Sequence, residues 1–471
     1  MLRLGLLAIL SMLVTACTTT SIADYYANAV PLKHRKLVVV IDGTGNEPRD
    51  HTNAFRLHEL IANQNRDDIA TFYTEGVGSD SRAIGLATGW GMGKDVRDAY
   101  RFLAERWQPG DEIYVIGFSR GAFGGRILQG MIYSAGLVDF VARRYTLDQR
   151  EKIVDRLYDA NKMFRRLRER EPSAQIRRMG QVDGVLRAFD LARRPARVSA
   201  VAYWDTVAAM GLPDGTPDPD KEDRSMPYLD QFCNVDYVFH ALSLDDNRPK
   251  DFTPISASGY DRQSMCSSDD PPPIIDEVWF SGAHADLGGT YTAADGVTFD
   301  GYLSGVSLNW MISRLAGFEL TPPGASVYAN WRDVIHDARR NKAFYRRYDD
   351  DSRDVFRLAR QSGYNWGVPR VHFTVQDRLA ELYVLPALNA QCAGAARKPP
   401  ILCSDWLDRS RFMRYLKNNG CLDPVYEPGP YRRQRGWRFA DSRRSANDLE
   451  VVTKCVVLVY DTPEQRDAAL P

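Results

Sequence analysis

The chain has no C-x-x-C pair, no excess of charge of either sign, and only seven histidines among its 471 residues. Without closely spaced cysteines a zinc finger or ribbon is excluded, because such sites need ligands a few residues apart. Lys plus Arg and Asp plus Glu both total 61, so the basic balance that accompanies nucleic-acid binding is missing. No internal repeat or low-complexity tract occurs, which removes solenoids and repeat arrays. The scarcity of histidine leaves few candidates for an imidazole base. What is present is ordinary globular material, 44% hydrophobic and 26% charged, long enough for one large domain or two smaller ones.

The N-terminus, MLRLGLLAILSMLVTACTTT, has one early arginine and an apolar stretch from Leu4 to Val14 that is too short to span a bilayer and suits a signal peptide. It ends in Leu13-Val14-Thr15-Ala16-Cys17, which resembles a bacterial lipobox, where the cysteine becomes the lipidated first residue of the mature protein. Thr18 stands where inner-membrane retention would call for aspartate. Residues 1–17 are therefore expected to be a lipoprotein signal and 18–34 a linker, with the mature chain lipid-anchored to an outer membrane on its periplasmic or surface side. Setting Cys17 aside leaves an even set, Cys233, Cys266, Cys392, Cys403, Cys421 and Cys455, which an oxidising compartment would pair as disulfides in a connectivity the sequence leaves open.

From residue 35 strand and helix signals alternate. KLVVVIDGTGN reads as a buried strand breaking into a glycine loop, with a helix expected from Asn53 to about Gln64. TFYTEGVGS supplies a second strand, KDVRDAYRFLAERW a second helix, and Ile113–Ile116 a third strand. Further strands are expected at VSAVAYW and from about Ile275 to Phe280, which makes five sheet elements before residue 290. This alternation predicts an α/β fold with a mainly parallel sheet flanked by helices, over residues 35–320. An arginine-rich stretch at about 141–197, including KMFRRLRERE, lacks strand signals and is read as a helical insertion, either a solvated, salt-bridged surface or a basic face for anionic lipid. Residues 321–471 are irregular, rich in proline, tryptophan and arginine, and read as a C-terminal extension.

The sharpest chemical signal is EIYVIGFSRGAFG. A buried strand runs through G-x-S-x-G directly into a helical pattern, which is the context of a nucleophile elbow, with Gly117 and Gly121 relieving crowding around Ser119. A serine nucleophile needs a base, and the base an acid to hold its tautomer. Asp205 and His284 both follow predicted strands and come in the chain order Ser, Asp, His. His372 is a rival base, and Asp245, Asp246 and Asp286 are rival acids. For the oxyanion, the backbone N–H of Arg120 and those of Gly43 and Thr44 in the DGTGN loop are the candidate donors, with Asp42 and Asn46 bracing the turn. His284-Ala285-Asp286 has no third ligand cluster beside it, so no metal is expected. The chemistry calls for no cofactor.

Taken together and in order, VVVIDGTGN, IGFSRGAF, YWDTVAAMG, LDDNRPKDFTP, VWFSGAHADLGG and VHFTVQDR resemble the α/β-hydrolase domain family that includes phospholipase effectors of bacterial type VI secretion, over roughly residues 35–375. That resemblance implies a Ser119–Asp205–His284 triad, the same residues reached above. Gly45 stands where members of the family often carry tryptophan, and the effectors generally lack a lipoprotein signal. The expected protein is a serine carboxylester hydrolase of phospholipase or lipase type, membrane-anchored through lipid and acting on an acyl ester. The rival expectation is a catalytically idle lipoprotein that binds a partner on the same fold.

Overall fold

The computed structural model describes residues 34–43, 46–75, 92–140, 145–162, 172–207, 232–248, 252–257, 266–291, 301–341, 351–362, 368–385, 401–428 and 433–469. The expected signal segment with Cys17, the loop residues Thr44 and Gly45, the KMFRRLRERE core, and Cys392 lie outside them.

Among the described residues, six strands precede residue 290: β1 (Lys36–Ile41), β2 (Ile69–Thr74), β3 (Glu112–Phe118), β4 (Val198–Trp204), β5 (Val235–Ser243) and β6 (Ile274–Phe280). All pair in parallel, in the order β2-β1-β3-β4-β5-β6. The chain moves from β1 outward to β2 and then back past β1 to β3, so the strand order reverses beside β1. In open α/β sheets the loops at the carboxyl ends of the strands around such a reversal form the ligand crevice.

The alternating direction of strand side chains explains the two layers around the sheet. Val38, Val40, Tyr114, Ile116 and Phe118 face one buried cluster, and Leu37, Val39, Ile41, Ile113 and Val115 face the other. The first layer includes α1 (Asn53–Ala62), whose start is capped by the Thr52 hydroxyl accepting from Phe55 N–H. The second is built from α2 (Met92–Arg106), α3 (Arg120–Ala135) and two helices of the arginine-rich stretch, α4 (Leu147–Lys162) and α5 (Pro172–Ala188). Both clusters are continuous across the sheet, which is why the strands read as unbroken apolar runs rather than alternating ones.

Strand β5 is absent from the five elements expected before residue 290. Its run VDYVFHALS is interrupted by His240, a polar residue that hides the pattern but is fully buried. His240 Nδ1 lies 2.9 Å from Glu277 on β6 and its Nε2 accepts from Thr206 N–H at 3.2 Å, so the buried imidazole is satisfied on both sides.

The region beyond 320, expected as an irregular extension, also departs from its sequence reading. It follows α6 (His284–Gly288) and α7 (Ser304–Leu315) with α8 (Val355–Ser362), β7 (Arg370–His372), α9 (Phe373–Ala380) and α10 (Arg411–Asn418). Strands β8 (Leu422–Tyr426) and β9 (Gln434–Phe439) form a separate antiparallel pair. Strands β10 (Arg443–Arg444), β11 (Glu450–Val452) and β12 (Val457–Val459) continue the main sheet, which reads β10-β11-β12-β7-β6 at this end. These strands are two or three residues long, too short for a periodic signal, and they are held by partners rather than by propensity. Val451 of β11 and Leu458 and Val459 of β12 join the same buried cluster as α7.

Among the described residues, two disulfides are resolved: Cys233 to Cys266 and Cys421 to Cys455. Cys403 is disulfide-bonded as well. No helix among the described residues is long and apolar enough to cross a membrane.

Candidate active site

Ser119 sits between β3 and α3 with φ 58° and ψ −124°, a conformation that non-glycine residues rarely adopt. The turn is held by Ser119 N–H donating to the Trp204 carbonyl of β4 at 2.9 Å. It can form only because its flanking residues have no side chain. A methyl group at Gly117 would lie 2.7 Å from the Ala122 backbone, and one at Gly121 would meet the Ile41 and Asp42 carbonyl oxygens. The sequence G-x-S-x-G is thus the local condition for placing Oγ at the carboxyl end of the sheet.

Two other strand ends bring the partners. Asp205 follows β4 and His284 follows β6 at the start of α6. His284 Nε2 accepts from the Ser119 hydroxyl at 2.7 Å, and Nδ1–H donates to Asp205 Oδ2 at 2.6 Å. That pair of bonds defines the tautomer, with the proton on Nδ1 and the lone pair on Nε2 aimed at the serine. Phe118 stacks on the imidazole at 4.8 Å between ring centroids, and Phe252 meets it edge-on at 5.1 Å. The ring is therefore fixed from both flanks as well as at both nitrogens.

Burial alone would push the Asp205 carboxyl up, but the Arg353 guanidinium and the hydrogen bond from His284 more than reverse this and hold it well below the usual carboxylate range. Its four acceptor sites are all used: Oδ1 accepts from Ser243 N–H at 3.0 Å and Arg353 Nη1 at 2.7 Å, and Oδ2 from His284 and from Arg353 Nη2 at 2.8 Å. His284 moves below the ordinary imidazole value because burial disfavours its charged form, with Asp205 pulling in the opposite sense. The neutral imidazole is the form that can accept a proton from a hydroxyl.

The rivals have other work. His372 Nδ1 lies 2.8 Å from the Thr374 hydroxyl and Nε2 3.2 Å from Asp461, and its ring stacks on Phe280. Asp245 accepts from Gly282 N–H at 2.7 Å, and burial pushes its carboxyl up to about 7. Asp246 pairs with Arg248 and accepts from His284 N–H at 3.1 Å, so it braces the base through its backbone. Asp286 lies 2.5 Å from Nδ1 of buried His336. Of these residues, the structure brings only His284 and Asp205 into a chain with Ser119.

The loop after β1 reaches the serine. Gly43 is so close that a methyl group there would lie 3.3 Å from the Ser119 Cβ. Its N–H donates to the Asp42 carboxylate at 2.7 Å, while Asp42 Oδ2 accepts from the Thr52 hydroxyl at 2.6 Å and the Tyr73 hydroxyl at 3.0 Å. Asp42, buried and pushed up to about 6 by that burial, thus braces the loop through Gly43, Thr52, Tyr73 and Asn46. Arg120, the other candidate oxyanion donor, is the first residue of α3. Among the described residues, no group of three or more His, Cys, Asp or Glu side chains is arranged to hold a metal ion.

Arg353 was not among the residues singled out in the sequence. It lies in a stretch without motif or periodicity, and no local signal marks it. The same holds for Phe252 beside the imidazole, although it falls within the LDDNRPKDFTP block.

A family model described as the catalytic domain of Tle1-like phospholipase effectors of type VI secretion matches residues 35–314. An uncharacterized protein of Saccharomyces cerevisiae is 25% identical over 235 residues, covering 46% of this chain and 32% of its own length. Among solved structures, an uncharacterized protein from Pseudomonas aeruginosa is similar over 84% of this chain and 64% of its own, with 14% identity and a TM-score of 0.39. A butyrate-bound thermophilic esterase from Thermogutta terrifontis covers 64% of this chain and 89% of its own, at 12% identity and a TM-score of 0.31. The chain spans about a third of the yeast relative and less than two thirds of the Pseudomonas protein.

Proposed function

The chain belongs to the family of Tle1-like phospholipase effector catalytic domains, and from that membership and the geometry at Ser119 we propose that it is a serine carboxylester hydrolase acting on acyl esters of phospholipids or similar lipids. The observation that carries the reading is the continuous hydrogen-bonded chain from Ser119 Oγ through His284 to Asp205, at 2.7 and 2.6 Å. In this mechanism Ser119 Oγ attacks the acyl carbonyl while His284 Nε2 takes its proton. Asp205 holds the tautomer and offsets the imidazolium charge. The tetrahedral oxyanion forms beside the start of α3, where the backbone N–H of Arg120 is the proposed donor. The Gly43 N–H, expected as a second donor, is instead bonded to the Asp42 carboxylate, and Thr44 lies outside the described residues. His284 then returns the proton to the leaving alcohol, and water, activated by the same imidazole, releases the acyl group from Ser119.

A lipid anchor at Cys17 is part of the same proposal. An enzyme tethered to a membrane meets acyl chains without diffusing to them, and the polar linker to residue 34 supplies reach.

The test is labelling of purified, folded protein with a fluorophosphonate probe, alongside hydrolysis of phospholipid vesicles and of a soluble short-chain ester. Ser119→Ala is expected to abolish labelling and to lower kcat by about four or more orders of magnitude. A folded wild-type protein that neither labels nor hydrolyses either substrate would overturn the hydrolase reading in favour of a partner-binding lipoprotein. Anchoring is tested separately: Cys17→Ser is expected to leave an unprocessed, mislocalised precursor, and unchanged membrane extraction and mature mass would remove that part.

A further inference from the structure

Beyond the triad, and resting on the hydrolase reading above, we propose that Arg353 is a positioning residue for Asp205, supplied by the C-terminal region, that aims the carboxylate at His284 and balances its charge. Arg353 lies outside residues 35–314, the span matched by the catalytic-domain family. Its side chain is 1% exposed. Nη1 donates to Asp205 Oδ1 at 2.7 Å and to the Ser243 carbonyl at 2.6 Å, while Nη2 donates to Asp205 Oδ2 at 2.8 Å and to the Phe252 carbonyl. One guanidinium therefore grips the triad acid with both prongs and also holds the backbone of Phe252, whose ring packs on the imidazole.

A planar, two-pronged donor sets the plane of the carboxylate it binds, which a single point charge does not. With that plane set, the remaining lone pair of Oδ2 points at His284 Nδ1. The charges also balance in advance. Asp205 and Arg353 form a buried pair of zero net charge beside a neutral imidazole, so the imidazolium and oxyanion are the only separated charges the reaction creates. Without Arg353, an unpaired buried carboxylate would draw a proton onto the Asp205–His284 pair at higher pH, removing the base. Among the described residues, the other charged or titratable groups acting on Asp205, His284 and Arg353 include Asp246 and Arg248, bonded to each other, Asp245, which accepts from Gly282 N–H, and His240, which is bonded to Glu277.

Arg353 is held firmly by the region that carries it. Next to it, the Ser352 hydroxyl accepts from Arg411 N–H at 2.6 Å, and Asp351 pairs with the Arg411 side chain. On α8, Phe356 stacks on Tyr415 of α10 with ring centroids 3.7 Å apart. Beyond α10 the chain reaches Cys421, which is bonded to Cys455 just before β12. The C-terminal region is thus continuous, through packed side chains, with the acid of the candidate triad.

The experiment compares full-length wild type with Arg353→Met and Arg353→Lys in the pH profile of kcat/KM on a soluble ester, and in the NMR titration of the His284 imidazole. Arg353→Met is expected to lower kcat about 10- to 100-fold, as a misaimed catalytic group does, with little change in KM. Its acid limb, and the His284 titration, are expected to move up by about one pH unit, the size of shift a neighbouring opposite charge produces. Arg353→Lys, with charge but one prong, is expected to keep the limb near wild type and recover only part of kcat. Should Arg353→Met not fold, Arg353→Gln, which keeps a donor and loses the charge, carries the same expectation for the limb. A merely structural arginine would lower thermal stability and leave limb and titration unmoved, and that result in the neutral variants overturns the proposal. The NMR titration needs no turnover, so a wild type without esterase activity would sink the hydrolase reading while this inference is still decided.

Discussion

Gly121 lies directly against Ile41: a methyl group on its α-carbon would stand 2.1 Å from the Ile41 carbonyl oxygen and 2.4 Å from that of Asp42. The elbow and the loop after β1 are therefore in backbone contact, and neither can yield as a flexible side chain would. Gly121→Ala is expected to cost about 3 kcal/mol, the upper end for inserting atoms into a packed interior, and to abolish probe labelling. On α5 a methyl group at exposed Gly180 meets nothing within 4 Å. There the same substitution is expected to stabilise the protein by about 0.5–1 kcal/mol, because alanine favours the helix. Thermal unfolding of the two variants checks both signs.

The pH dependence of the reaction follows from His284. Burial moves its imidazole below the ordinary value of 6.5. The neutral form is the base, so kcat/KM on a soluble ester is expected to fall along a one-proton acid limb whose midpoint lies below 6.5, and to be at its plateau by neutral pH. A midpoint at or above 6.5 would contradict the burial argument.

Asp245 should leave a mark on stability rather than on rate. Its buried carboxyl is pushed from 3.8 to about 7, so between those values the folded chain binds more protons than the unfolded one. Stability contributed by this group is then present at low pH and is lost as pH rises towards 7, by an amount on the order of a few kcal/mol. Asp245→Asn keeps an acceptor for Gly282 N–H and removes the titration. Its melting temperature relative to wild type is expected to rise between pH 5 and pH 8. A constant difference across that range would show that Asp245 is ionised throughout.

The Cys421–Cys455 disulfide closes a loop with a sequence separation of 34 beside α10 and β12. Replacing both cysteines with serine is expected to lower stability by about 2–4 kcal/mol through the freed unfolded chain. Because α10 packs on the segment that carries Arg353, activity is expected to be lost at a lower urea concentration than global unfolding. Coincident loss of activity and fold in the variant would show that the C-terminal region and the site unfold as one unit.

The residue order alone determined what rests on contiguous residues. The parallel sheet flanked by helices was readable from apolar runs alternating with helical periodicity, and the elbow from a strand, two glycines and a helix around Ser119. These signals are local because side-chain direction repeats every two residues in a strand and every three to four in a helix. Tertiary structure decided which distant groups meet. Several aspartates and histidines end strands in the sequence, but only the parallel order of β3, β4, β5 and β6 brings Asp205 and His284 to Ser119 and sends His372 to Asp461. Strand β5 stayed hidden because the polarity of His240 is cancelled by Glu277 on a neighbouring strand, a partner that no window along the chain contains. Arg353 was invisible for the same reason: what sets it apart is that the carboxylate it grips is that of Asp205, and that contact exists only once the C-terminal strands and helices have closed onto the sheet.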